Sequence, residues 1–178
     1  ATLGTTGGPV SALNPNMLAS SDFATSAFSA EYGNALSGVF DLRFRSGNRD
    51  RNEYMLQLGS FSGIEAMAEG PLGKGGSFVV SFRNSFIGLA DALGIPIGTN
   101  ATPDYRDLTF KVDFGNSKLG KFSLFGIGGS SNIDFLGSDT DSTDLFADPT
   151  RNAYPRSRFG VIGLRHNLIT GQQTYLRT

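Results

Sequence analysis

Carboxylates, hydroxyls and cations are the groups from which this 178-residue chain could assemble a chemical site. The string DTDSTD at residues 139 to 144 sets carboxylates at near-alternate positions, between Asp134 and Asp148, and oxygen donors so spaced could ligate calcium. It has neither the central glycine nor the closing bidentate glutamate of an EF-hand, so the plainer expectation is an acidic loop in water. His166 is the only histidine, with no Ser or Asp partner at a recognisable triad spacing. The glycine strings GTTGG (4 to 8) and GIGG (126 to 129) lack the Gly-Lys-Ser/Thr of a phosphate loop and read as tight backbone. Cysteine is absent, which removes thiolate nucleophiles, thiolate metal sites and disulfides. The expectation is therefore neither an enzyme nor a holder of a cofactor or metal.

Two sets of charges remain. Arg43, Arg45, Arg49 and Arg51 form the densest basic cluster, suited either to an anionic contact or to a solvated junction paired to a neighbouring wall. Glu65, Glu69, Arg83, Lys111 and Asp113 are scattered along the chain, and only a shared face could make them one site.

Alternating strands would supply that face. Residues 107 to 114, DLTFKVDF, put Leu108, Phe110, Val112 and Phe114 on one side and Asp107, Thr109, Lys111 and Asp113 on the other. SFVVSFRNSF (77 to 86) sets Phe78, Val80 and Phe82 against Ser77, Ser81 and Arg83, and GIEAMAEG (63 to 70) sets Ile64, Ala66 and Ala68 against Glu65 and Glu69. Weaker runs cover 52 to 60, 121 to 129 and 158 to 168. A further alternation from Val39 to Arg45 predicts a strand there, preceded by a loop-rich stretch with short strands.

Composition agrees with β-structure. Hydrophobic residues make up 39%, charged residues 17%, and glycine occupies 24 positions, a pattern foreign to a charged helical domain or a disordered tail. The net charge of −1 argues against a nucleic-acid surface. No apolar run approaches the ~20 residues of a spanning helix, and the N-terminus does not read as a signal peptide, so any membrane crossing would use strands.

The connections sharpen the expectation. PLGKGG (71 to 76), GNSKLG (115 to 120) and ITGQQ (169 to 173) are short, whereas 87 to 106 and 130 to 157 are long, and the two kinds alternate. In an up-and-down sheet this puts every tight turn at one end, as in outer-membrane barrels. Phe78, Phe114 and Phe122 flank the short turns and Phe86, Tyr105, Tyr154 and Phe159 the long ones, which would give two interfacial aromatic girdles. The apolar LADALGIPI (89 to 97) could cover a barrel mouth or pack on itself. Six strands plus a seventh at Thr174 to Arg177 fall short of the ~8 of the smallest closed barrels, so the expectation is a piece of a larger one. A soluble β-sandwich that binds glycans or partners would alternate in the same way, with its apolar faces covered by protein.

GGPVSALNPNMLASSDFATSAFSAEYGNALSGVFDLRFRSGN, residues 7 to 48, resembles the end of the plug domain of a TonB-dependent outer-membrane receptor of the Bacteroidetes type. EYMLQLGSFSGIEAMAEGPLGKGGSFVVSFRNSF is similar to the first barrel strands of those receptors, including Glu-Gly-Pro at 69 to 71 before a short periplasmic turn. The resemblance covers the first half of the chain; beyond Phe86 only the strand and loop pattern continues it. It implies an all-β architecture, with the C-terminal part of a plug at 1–48 and the first strands of an antiparallel transmembrane β-barrel, incomplete, at 49–178. It also implies nutrient import across the outer membrane by plug rearrangement. The implied partners are the rest of the barrel, a TonB-type energy-coupling protein, outer-membrane lipid and a surface lid lipoprotein, with no nucleic acid. On this view Arg43, Arg45, Glu65, Glu69, Arg83, Lys111 and Asp113 supply plug-to-barrel contacts or line the substrate path. The motor-binding box, the start of the plug and most of the barrel have no counterpart in these residues.

Overall fold

The computed structural model describes residues 13–20, 22–24, 32–33, 38–59, 63–85, 101–135, 156–170 and 174–178. Among the described residues the fold is all-β apart from one 3-10 turn, Pro15–Met17. Strands β1 (Asp22–Ala24) and β2 (Val39–Asp41) form a small antiparallel pair. Seven strands follow: β3 (Glu53–Gly59), β4 (Gly63–Pro71), β5 (Ser77–Asn84), β6 (Ala101–Asp113), β7 (Lys121–Phe135), β8 (Arg156–Ile169) and β9 (Tyr175–Arg177). They build one sheet in sequence order, every neighbour antiparallel.

Turn chemistry explains the tight end of this meander. Between β4 and β5, Gly73, Lys74 and Gly75 all take positive φ (61°, 47° and 78°), a conformation that glycine adopts without steric cost. Leu72 and Gly76 close the turn, the Leu72 amide donating to the Gly76 carbonyl at 3.0 Å.

Register confirms the faces read from alternation. Ala66 lies across from Phe82, Phe82 from Leu108, and Val80 from Phe110, all on the apolar face. On the opposite face Glu65 lies across from Arg83, Ser81 from Thr109 and Ser77 from Asp113. Glu65, Glu69, Arg83, Lys111 and Asp113 therefore do share one face.

Several boundaries differ from the sequence reading. The strand expected from Val39 to Arg45 stops at Asp41, because the next backbone groups change partner: the Ala19 amide donates to the Arg43 carbonyl (2.7 Å) and the Arg45 amide to the Met17 carbonyl (2.9 Å). Strand β6 begins at Ala101 rather than Asp107, so Pro103 sits inside it. Among the described residues, 101 to 104 pair with β7 alone, while the Ser85 amide donates to the Tyr105 carbonyl at 2.9 Å. Phe114 falls just past β6. Tyr105 and Phe159 do not join an outward girdle: Tyr105 has the parity of Asp107 and is buried on the polar side, and Phe159 lies across from Gly129 in the row of Asp107. The calcium reading of 139 to 144, the apolar stretch 89 to 97, the string GTTGG, and Phe86 and Tyr154 lie outside the described residues.

The sheet is inverted with respect to a soluble core. Tyr54, Leu56 and Leu58 are 79%, 73% and 71% exposed, and Phe82, Leu108, Ile162 and Leu164 are exposed with them. On the polar face Ser77, Ser81, Thr109, Glu65, Glu69, Arg83 and Asp107 are buried. Polar groups withdrawn from water cost several kcal/mol each unless they are paired, and Glu65 and Glu69 find their partners in a covering layer.

Candidate functional site

That layer is the N-terminal segment, residues 14 to 17 and 44 to 48, lying on the polar face of the sheet. Asn14 caps the 3-10 turn with its Oδ1, which accepts from the Asn16 amide at 2.9 Å, and Pro15 presets the first turn position. Its Nδ2 is left free to reach outward, donating to Glu65 Oε1 at 2.6 Å and to Ser81 Oγ at 2.7 Å. Asn16 Nδ2 adds contacts of 3.2 Å to both Glu65 oxygens, and Ser81 Oγ donates to Glu65 Oε1 at 3.1 Å. One buried carboxylate is thereby satisfied by two asparagines and a serine, with Met17 fully buried beside them in the sequence.

A second anchor sits four residues along β4. Arg45 Nη1 and Nη2 grip Glu69 at 2.7 and 2.6 Å, and the Asn48 amide donates to Glu69 Oε2 at 2.8 Å. Arg45 Nε donates to the Asn16 carbonyl at 2.7 Å, so one guanidinium joins both arms of the segment to the sheet. The Glu69 hydrogen bond holds Arg45 above its ordinary pKa, against the opposing effect of burial, which keeps the guanidinium charged.

Lys111 forms a third anchor. Its Nζ donates to the Phe44 carbonyl (3.0 Å) and to Ser46 Oγ (3.2 Å), and stands 3.5 Å from Asp113 Oδ2. Asp113 Oδ1 accepts from Ser123 Oγ at 2.5 Å. The Phe44 ring meets Phe125 of β7 at 6.0 Å between centroids, tilted by 58°.

Of the sequence-predicted residues, Arg45, Glu65, Glu69, Lys111 and Asp113 belong to this interface. Arg83 pairs with Asp107 of the neighbouring strand, its Nη2 2.9 Å from Asp107 Oδ2 and its Nε 3.0 and 3.1 Å from the two carboxylate oxygens. Arg43 forms its ion pair with Asp41 two residues away, and Arg51 with Glu53. The Arg43 hydrogen bond is the chief cause of a lowered Asp41 pKa, with a smaller Coulombic contribution from Arg177. Asn14, Asn16, Ser81 and Asp107 were missed as site residues. The Asn-Pro-Asn string was the available signal for the first two, and the parity of Asp107 with Lys111 for the last.

Gly47 sets how closely the segment can lie. A Cβ there would stand 1.9 Å from the Phe78 carbonyl oxygen of β5, so only glycine permits this backbone approach. Gly47→Ala is expected to lift the segment and to cost about 1–3 kcal/mol, the usual range for overpacking. Urea unfolding checks this, and a loss under about 0.5 kcal/mol would contradict the close approach.

Comparison with protein-family models, with curated proteins and with solved structures finds no match.

Proposed function

We propose that this chain forms the terminal plug segment and the first barrel strands of a TonB-dependent outer-membrane receptor, importing a nutrient by plug rearrangement. The observation that carries the reading is the inversion of the sheet: its exposed side is apolar and its covered side is polar. A water-soluble sandwich packs apolar faces against each other, whereas a barrel wall turns them to lipid and keeps a polar interior. The meander supports the same reading, since consecutive antiparallel neighbours with short connections at one end are the ordinary build of such barrels. Strands β3 and β9 each have one neighbour among the described residues, and further strands of the receptor would pair with them.

In this function the sheet supplies the passage and residues 14 to 48 the gate. Glu65, Glu69 and Lys111 hold the gate through hydrogen bonds and one bidentate ion pair. Polar contacts of this kind can be exchanged for water when a TonB-type coupling protein pulls on the plug, so release does not require exposing an oily core.

Leu108→Arg in protein reconstituted into phosphatidylcholine vesicles tests the reading. Leu108 is 44% exposed on the apolar face, on a strand with neighbours on both sides. A charge there facing lipid is expected to cost about 2–4 kcal/mol of unfolding free energy, against about 0.5 kcal/mol or less for a water-facing position. The smaller value would sink the membrane assignment.

A further inference from the structure

Between residues 42–44 and strands β6, β7 and β8 lies a cavity of about 70 Å³. Arg43, Lys111, Arg165 and Ser123 line it together with the rings of Phe44 and Phe125. The volume accommodates about two water molecules, or one oxyanion group, and not a whole organic ligand.

Charge is unevenly spent around it. Asp41 answers Arg43, and Lys111 donates to the Phe44 carbonyl and Ser46 Oγ and stands 3.5 Å from Asp113 Oδ2. Arg165 has no ion-pair partner among the described residues. It stands across from Ser123 in the β7–β8 register, on the polar face. Arg177 of β9 bears on Asp41 from the same side. Arg43, Lys111, Arg165 and Arg177 thus outweigh Asp41 and Asp113. Farther along the polar face, β4 carries Glu65 and Glu69, each already satisfied, so the cationic excess is local to this end.

We infer that this cavity is an oxyanion-binding site, taking the carboxylate or phosphate group of a small molecule. Arg165 supplies the hydrogen-bond donors, its planar fork matching two oxygens at once. Lys111 and Arg43 contribute charge, and the rings of Phe44 and Phe125 wall the pocket that takes the oxyanion. Nothing in this assignment requires that the sheet face lipid, so it stands apart from the receptor reading.

Titration calorimetry on the purified protein, with inorganic phosphate and with acetate as separate probes, tests the site. Saturable heat is expected with at least one of them, and the responding probe names the oxyanion class. Arg165→Gln is expected to weaken that binding about tenfold or more, the loss of a charge-assisted pair, while Arg156→Gln at the other end of β8 changes it by less than about twofold. Arg165 is exposed, so the variant keeps its fold, which unchanged far-ultraviolet circular dichroism verifies. Absence of saturable heat with both probes, or a weakening below tenfold in Arg165→Gln, would overturn the proposal.

Discussion

Truncating Asp107 to alanine is expected to destabilise the folded protein by about 3–5 kcal/mol, because it leaves the Arg83 guanidinium buried without its carboxylate. Both side chains are nearly sealed from solvent, 7% and 6% exposed, and three contacts between 2.9 and 3.1 Å join them. In so dry a setting the loss of the carboxylate costs more than the net worth of the pair. Replacing both members, Arg83→Met with Asp107→Leu, should therefore recover most of the loss, since an apolar pair of similar volume needs no partner. Urea unfolding of the two single variants and the double variant gives the comparison. Single losses below about 1 kcal/mol would mean that water reaches the pair, and the sheet's polar face would be more open than its burial indicates.

The second large effect concerns the attachment of the N-terminal segment. Glu69→Gln retains the volume of the side chain but removes the charge that receives Arg45 through both terminal nitrogens and the Asn48 amide. A cost of about 2–4 kcal/mol is expected, somewhat less than for the sealed pair because the Arg45 side chain keeps 29% exposure. A cycle with Arg45→Met should give a coupling of about 1–3 kcal/mol, as befits groups in direct contact. Hydrogen exchange separates this local event from general loosening: the Asn48 and Arg45 amides should exchange faster in Glu69→Gln, while those in the middle of β6 keep their protection. A coupling near zero would show that the segment rests on the sheet without being held by this pair. Under the receptor reading, the same variant combined with loss of Lys111 would also raise passive leak through the assembled barrel.

Strand parity was legible in the sequence because the pleat fixes it. Once 77 to 86 and 107 to 114 are strands, Ser81 and Arg83 must share one side, as must Thr109 and Lys111, whatever the rest of the chain does. Turns were legible for a similar local reason: PLGKGG carries the glycines that positive φ demands. Strand ends were less so. Residues 101 to 106 read as part of a long connection, yet they belong to β6, with Pro103 across from Ile133 of β7. Likewise, the alternation through Arg45 continues in the sequence after the strand has ended, since its termination depends on residues 17 to 19 offering other hydrogen-bond partners.

What the sequence by itself determined, then, was two-faced antiparallel strands, the glycine-rich turn at 71 to 76, and the grouping of Glu65, Glu69, Arg83, Lys111 and Asp113 on one side. Only the tertiary structure decided which face is covered and by what. An alternating strand carries the same pattern whether its apolar or its polar side is buried, so no local property distinguishes the two. The partners that settle it come from far along the chain: Asn14 is 51 residues from Glu65, and Arg45 is 24 from Glu69. Their pairing follows from where the backbone brings the segment to rest, close enough at Gly47 that no side chain fits between it and β5.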